Sequence, residues 1–352
     1  MARHKTNGPA SITSRDIARA AHVSQALVSR AFSGNGRIAP ETRAHILEVA
    51  GRLGWQPNAL ARSMVTGDAP LVAIITARLT FDWRAQVLSC LLKAIQDLHL
   101  KPLLFYAESD AEIDRLLGET IGWRTRGVIV TAGAVPEHRA MEIVSRGQFL
   151  ATLNRPANHP EAFAIATDNA RGGAMAADLL LDEGRSEFLV LGGPETDWAA
   201  SLRQRGFAER LAARGKAATV WNKDTMSIPT GWAYAERYLD LASGARPDAV
   251  FATSDSIAIG FLDGIRDRLC IPQDLSIVGF DNLPASSWKP YQLTTFEQPI
   301  DEMVQLLLAH VDKHHQAEDG QLPAPALVSS GKEGVIYCQP KIILRATTRA
   351  MQ

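Results

Sequence analysis

The stretch ITSRDIARAAHVSQALVSRAF, residues 12–32, carries two helical patterns separated by a break only long enough for a tight turn. Thr13 or Ser14 can cap a first helix running through Ala21, because a hydroxyl there accepts from an amide that the first turn leaves unpaired. Ile17, Ala18 and Ala21 fall at i, i+1 and i+4 on one apolar face. His22 and Val23 fill the turn, and Ser24 caps a second helix from Gln25 to Phe32. On that helix Leu27, Val28 and Ala31 point inward. Gln25, Ala26, Ser29 and Arg30 point outward, since 25/29 and 26/30 are i, i+4 pairs. The outer face is small and polar at its start and basic one turn later. It suits the major groove of DNA, where the first residues of a recognition helix meet base edges. A small helical bundle with a solvated basic surface is the plainer alternative.

Working outward, Gly34-Asn35-Gly36 breaks the chain and Pro40 starts a third helix. Ile46, Val49, Ala50 and Leu53 recur along it at i, i+3, i+4, i+7, and Gly54 ends it. This head is basic. Residues 1–66 hold nine Lys/Arg against three acids, a charge of +6, while the remainder holds 28 against 35, a charge of −7. The whole-chain net charge of −1 over 352 residues conceals that split. A basic head on an acidic body points to nucleic acid. With 46% hydrophobic and 21% charged residues, a disordered or fibrous chain is excluded. Cys90, Cys270 and Cys338 are odd in number and far apart, so they suggest neither a disulfide framework nor a metal site. The first residues lack the apolar stretch of a secretory signal, and no run of about 18 apolar residues occurs. A cytoplasmic protein, nucleoid-associated when bound to its DNA, is the expectation.

Beyond Pro70, apolar strands alternate with helical segments. Strands are expected at 71–76, 102–106, 127–130, 149–153, 188–191, 249–252 and 276–280, with helical patterns such as 84–98, 170–183, 200–214 and 256–269. Alternating βαβ units imply parallel sheets covered on both faces, and about 280 residues favour two similar lobes. Enzymatic chemistry finds little support. Gly192-Gly193 lacks a full phosphate-binding or dinucleotide fingerprint, no nucleophile elbow occurs, and His314-His315 lies in a polar stretch, 314–323, expected to be loose. Neither catalysis, nor a cofactor, nor a metal is expected.

Residues 12–64, with Val23-Ser24 followed by Val28-Ser29-Arg30 as the most diagnostic part, resemble the DNA-binding head of the lactose-repressor family of bacterial transcription regulators. The resemblance implies base reading by Gln25, Ala26 and Arg30, with Ser29 on the same face. Arg30 can pair with guanine, Gln25 can read adenine, and Ala26 offers apolar contact to a thymine methyl. It also implies a hinge helix at 58–64, capped by Asn58, with Ala61 and Arg62 in its core. Two hinges would pair in the minor groove, where an apolar side chain wedges between base steps. That wedge is usually leucine, and here it is Met64. A second departure is Ala39, where the family often has a serine cap.

The motifs DNARGG (168–173), RQRGF (203–207), ATSDSIAIG (252–260), SIVGFDN (276–282) and LTTFEQP (293–299) extend the resemblance to the family's effector domain. The implied architecture is a helix-turn-helix head at 1–57, a hinge helix and linker at 58–70, and an α/β, two-lobed, periplasmic-binding-protein-like domain for effector binding and dimerisation at 71–352. Three crossovers join its lobes, lobe 1 at about 71–163 and 292–330, lobe 2 at about 164–291 and 341–349. A sugar-like effector is expected between them, on Arg203 and Asp255, with Asn154 and Arg155 adding donors and Trp83, Phe81 or Trp198 stacking. Met226 stands near another position where the family has an aromatic residue. Asp168 and Asn169 are expected to cap a helix. With no heptad-bearing tail after residue 349, a homodimer on a pseudo-palindromic operator is the expectation. A transport-type solute-binding protein would share the body but has no use for the head.

Overall fold

The computed structural model describes residues 12–33, 38–56, 70–77, 79, 82–157, 159–316 and 334–349. The chain divides into two compact units, 1–69 and 70–352. Asn58, Ala61, Arg62, Met64 and Phe81 lie outside the described residues, as do residues 317–323 of the polar stretch.

In the first unit, α1 spans Ser14–Ala20, α2 Gln25–Ser33 and α3 Pro40–Arg52. The start of α1 is fixed by Asp16, whose carboxylate accepts from the backbone N–H of Thr13 at 3.0 Å and from its hydroxyl at 2.7 Å. Those bonds hold the Asp16 carboxyl below its usual range. Ser24 Oγ accepts from the Leu27 amide at 3.2 Å and so caps α2. Ile17, Val28, Ala31, Ile46, Val49 and Ala50 close a small core. Leu53 departs from the pattern. It is 39% exposed because α3 ends at Arg52, and Trp55 turns back instead to meet Phe32 edge-on at 5.1 Å.

The second unit contains two parallel sheets. The first has the strand order β11-β5-β4-β3-β1-β2, from β1 (Leu71–Ala77), β2 (Lys101–Ala107), β3 (Gly127–Val130), β4 (Phe149–Leu153), β5 (Phe163–Thr167) and β11 (Val335–Cys338). In its centre Ile74 of β1 stands between Leu104 and Ile129. α4 (Asp82–Asp97) and α11 (Ile300–Gln316) belong to one face, while α5 (Asp110–Gly122) and α6 (Glu137–Ser145) belong to the other. The second sheet has the order β7-β6-β8-β9, from β6 (Phe188–Leu191), β7 (Ala218–Trp221), β8 (Ala249–Ala252) and β9 (Ser276–Val278). Its faces are covered by α7 (Asn169–Asp182) with α8 (Trp198–Ala212), and by α9 (Ile228–Leu239) with α10 (Asp255–Ile265). The inner strands of each sheet are buried on both faces, which is why they read as unbroken apolar runs.

Two lobe boundaries need correction. Residues 164–167 belong to lobe 1, because β5 pairs with β4 and β11. Residues 292–297 run along lobe 2, where Gly279 N–H donates to Thr294 O at 2.8 Å and Asp281 N–H to Phe296 O at 2.8 Å. There β10 (Thr295–Glu297) pairs antiparallel with β12 (Lys341–Ile343). The chain therefore crosses between lobes around residues 168, 298–299 and 339–340. The polar stretch is also partly ordered, since α11 runs through His314 and His315 to Gln316.

Candidate functional sites: a recognition helix and an interlobe cleft

On α2, Val28 and Ala31 are buried, whereas Gln25, Ala26, Ser29 and Arg30 are all exposed. The four side chains expected to read bases thus share one accessible face. Gln25 Nε2 donates to Ser14 Oγ at 2.8 Å, which ties the start of α2 to that of α1.

In the second unit, the C-terminal ends of strands from both sheets open onto a cleft of about 700 Å³, counted to its open mouth. Open α/β sheets place ligands at this edge. Arg203 reaches it from α8, which crosses α7 at unusually close range. A Cβ on Gly206 would lie 1.9 Å from the carbonyl oxygen of Ala170, and one on Gly173 would lie 2.0 Å from that of Arg203. Only glycine permits that approach, so DNARGG and RQRGF are two halves of one helix crossing. The Arg203 guanidinium is then gripped from three sides. Nε donates to Asn169 Oδ1 at 2.8 Å, Nη1 donates to Thr253 O at 2.7 Å and to Asp281 Oδ1 at 3.1 Å, and the plane lies 3.8 Å from the Phe280 ring centroid.

Asp281 was not foreseen as a site residue. It follows β9 with φ of 115°, and its side chain is 11% exposed toward the cleft. Burial pushes its pKa up to about 6 against the opposing pull of Arg203. Gln298 was also missed. Its Nε2 donates to Asp281 Oδ1 at 2.7 Å, and its Oε1 accepts from Asn154 Nδ2 and from Thr167 Oγ1, both at 2.8 Å.

Trp83, Asn154, Arg155, Trp198 and Arg203 line the cleft, and Met226, Arg84, Thr131, Asp197, Ser254, Ser256 and Leu283 join them. Asn154, at φ of 54°, is committed within the protein, accepting from the Thr167 amide at 2.8 Å as well as donating to Gln298. Asp168 caps α7 by accepting from the Arg171 amide at 3.0 Å. The indole N–H of Trp83 is buried without a hydrogen-bond partner.

Asp255 requires a correction. It does not line the cleft but is 0% exposed beneath its wall. One carboxylate oxygen accepts from the Leu283 amide at 2.8 Å and the other from Thr295 Oγ1 at 2.5 Å. Burial, then the nearby Asp281, push its pKa well up. Gly279 leaves it room, since a Cβ there would lie 2.3 Å from Asp255 Oδ1. Asp255 therefore holds the Asp281–Leu283 loop rather than a ligand.

A helix-turn-helix head with an exposed recognition face, followed by a two-lobed binding domain, defines a ligand-responsive DNA-binding regulator. Residues 13–58 match the helix-turn-helix of "Bacterial regulatory proteins, lacI family", and residues 177–329 match a periplasmic binding protein-like domain. The chain is 27% identical over 320 residues to catabolite control protein A of Priestia megaterium, covering 87% of this chain and 93% of that one. Its fold matches the lac repressor dimer bound to operator, with a TM-score of 0.83 at 21% identity, covering 96% of this chain and 99% of that one. It also matches the transcriptional regulator CelR in complex with cellobiose, with a TM-score of 0.64 at 22% identity, covering 96% and 99%. The chain belongs to the lactose-repressor family of bacterial transcription regulators.

Proposed function

We propose that this regulator is a repressor that binds a pseudo-palindromic operator as a homodimer and is controlled by a sugar-like effector in the interlobe cleft. The observation that carries the reading is the Arg203–Asp281 pair on the cleft wall. Among the described residues, no hydrogen bond of Arg203 uses Nη2 and none of Asp281 uses Oδ2. A donor and an acceptor side by side fit adjacent sugar hydroxyls. Trp83 and Trp198 add flat apolar surface for a sugar ring. On the DNA, Gln25, Ala26, Ser29 and Arg30 read the major groove of each half-site. The hinge at 58–64, with Met64 as its wedge, enters the minor groove. The CelR complex with cellobiose and the lac repressor dimer on its operator support both halves by analogy of fold.

The test is operator binding by the full chain and by a chain lacking residues 1–66. Salt-sensitive, sequence-selective binding that disappears on truncation supports the DNA half. Binding retained by the truncated chain refutes it. Operator binding that Met64→Ala leaves unchanged would remove the wedge role.

A further inference from the structure

The two faces of the lobe 1 sheet are covered unequally. On one face the core reaches the last strand, where Ile336 and Cys338 of β11 join Ile165 of β5. On the other face the cluster under α5 and α6 takes its strand residues from β1 to β4. Beyond β4 that face shows a different set of side chains. Ala164 and Ala166 of β5 stand two apart and so share a side, and the register sets Val335 of β11 beside Ala164 and Tyr337 beside Ala166. Ala164, Ala166 and Val335 are buried, with Ala157, Tyr337 and Trp198 packed against them. Among the described residues, no apolar side chain from a helix of lobe 1 belongs to this cluster.

Trp198 comes from the opposite lobe, as the first residue of α8. Among the described residues, every other apolar cluster of the second unit draws its side chains from a single lobe. α8 is also rigidly placed. Gly173 and Gly206 set its close crossing with α7, and the Asp197 carboxylate fixes its first turn by accepting from the Ala200 amide at 2.9 Å. The same helix carries Arg203, and both Trp198 and Arg203 line the cleft. One rigid element thus turns a guanidinium toward the cleft and seats an indole on lobe 1. A change of lobe angle that parts α8 from β5 and β11 lifts the indole from its seat and exposes apolar surface to water. The main cores of the two lobes take no part in that contact.

We propose that Trp198 is a positioning residue, an apolar clasp that holds lobe 2 against the β5–β11 edge of lobe 1 and so sets the balance between lobe arrangements. An effector in the cleft works with the clasp, since a molecule that touches both walls favours the arrangement in which both are within reach. This rests on the reading that lobe geometry governs operator binding.

The experiment needs no effector. In the full chain Cys90 and Cys270 are replaced by serine, and spin labels are attached through Glu119→Cys on α5 and Glu236→Cys on α9, both exposed positions. Labelled chain is diluted with unlabelled chain, so that dipolar spectroscopy reads the distance between lobes within one protomer. Trp198→Ala should broaden or shift that distance by several ångströms, and Trp198→Phe should restore most of the wild-type distribution. Val335→Ala, in lobe 1 and outside the cleft lining, should act in the same sense, and it keeps the test open if Trp198→Ala does not fold. On a duplex that the wild-type chain selects from a random pool, Trp198→Ala should change affinity at least about fivefold, the low end of coupling between sites. Combined with Val335→Ala its effect should be less than the sum, because the two remove opposite sides of one contact. A wild-type distance distribution in both folded variants overturns the clasp, even where the melting temperature falls, and so does simple additivity. A changed distribution with unchanged operator affinity supports the clasp and refutes instead the control of operator binding by lobe geometry.

Discussion

Gly206→Ala tests how the fold sets the position of Arg203. The added Cβ would meet the Ala170 carbonyl at 1.9 Å, whereas ordinary contacts begin at 3.4 Å. The two helices must therefore separate by about 1.5 Å at the crossing. The obstacle is backbone, with no flexible side chain to move aside. Overpacking of this kind costs about 1–3 kcal/mol, and a backbone clash belongs at the upper end. Alanine regains about 1 kcal/mol of helix propensity over glycine, leaving a net loss of about 2 kcal/mol. For a domain of this size that is a fall in melting temperature of about 4–8 °C. Arg203 lies one turn earlier on the same face, so the displacement also disturbs its 2.8 Å bond to Asn169. Thermal unfolding of the full chain, followed by effector titration, measures both effects. Gly122→Ala at the end of α5 is the control, since a Cβ there meets nothing within 4 Å, and it should not destabilise. A Gly206→Ala protein that melts with wild type and responds equally to effector would refute the argument that this crossing positions Arg203.

Arg203→Met should abolish the effector response while preserving operator binding, at a cost of about 3–5 kcal/mol from leaving Asp281 buried without its cation; an operator-release assay on the folded variant checks it. Arg30→Ala should weaken specific operator binding by about 1–3 kcal/mol and relax the preference at one base pair, with non-specific binding little changed, as a gel-shift series on mutated operators would reveal. The pH dependence of stability should carry the Asp281 carboxyl, which faces Arg203 and Gln298 with Asp197 and Asp255 nearby. Its folded pKa is raised to about 6, above the ordinary value of 3.8, so the folded chain takes up a proton before the unfolded chain does. The resulting stabilisation is fully present below the ordinary value and is lost as pH rises through about 6. Between pH 7 and 5 the wild type should therefore gain melting temperature relative to Asp281→Asn; equal slopes would contradict the shift.

The recognition helix was legible because its two faces differ within one short helix, and Val28 and Ala31 settle its orientation without distant partners. Seven body strands were legible as apolar runs bounded by turns. β11 escaped because it joins its sheet through β5, far away in the chain, and β5 because it follows β4 with no helix between them, breaking the strand–helix alternation. β7 escaped because it is an edge strand whose Thr219 and Val220 face solvent, so no apolar run marks it. The cleft was half legible. Arg203 reads as a site residue from its motif, yet Asp255 and Asp281 both follow a strand of the same sheet. Which carboxylate faces the cleft depends on the positive φ at Asp281 and the room that Gly279 leaves for Asp255. Gln298 could not be read from its neighbours at all, because Asn154, Thr167 and Asp281 meet it only once both lobes are folded.

That glutamine suggests why a ligand between the lobes would bias the whole domain. An effector shifts a conformational equilibrium only by its difference in affinity for the two arrangements. Gln298 sits on a crossover and holds Asn154 and Thr167 of lobe 1 with one end of its amide and Asp281 of lobe 2 with the other. A rotation between lobes must break or remake bonds at one end or the other. Leaving a buried polar group unpaired costs about 1–3 kcal/mol, the range of a typical allosteric coupling energy. Intermediate angles are therefore penalised, and the lobes favour discrete arrangements over a continuous swing. A hydroxyl donating to Asp281 would share with Gln298 the carboxylate that Gln298 Nε2 now holds. Ligand recognition and lobe geometry are thus joined at Asp281, and a substitution there should change the size of the effector response as well as its affinity.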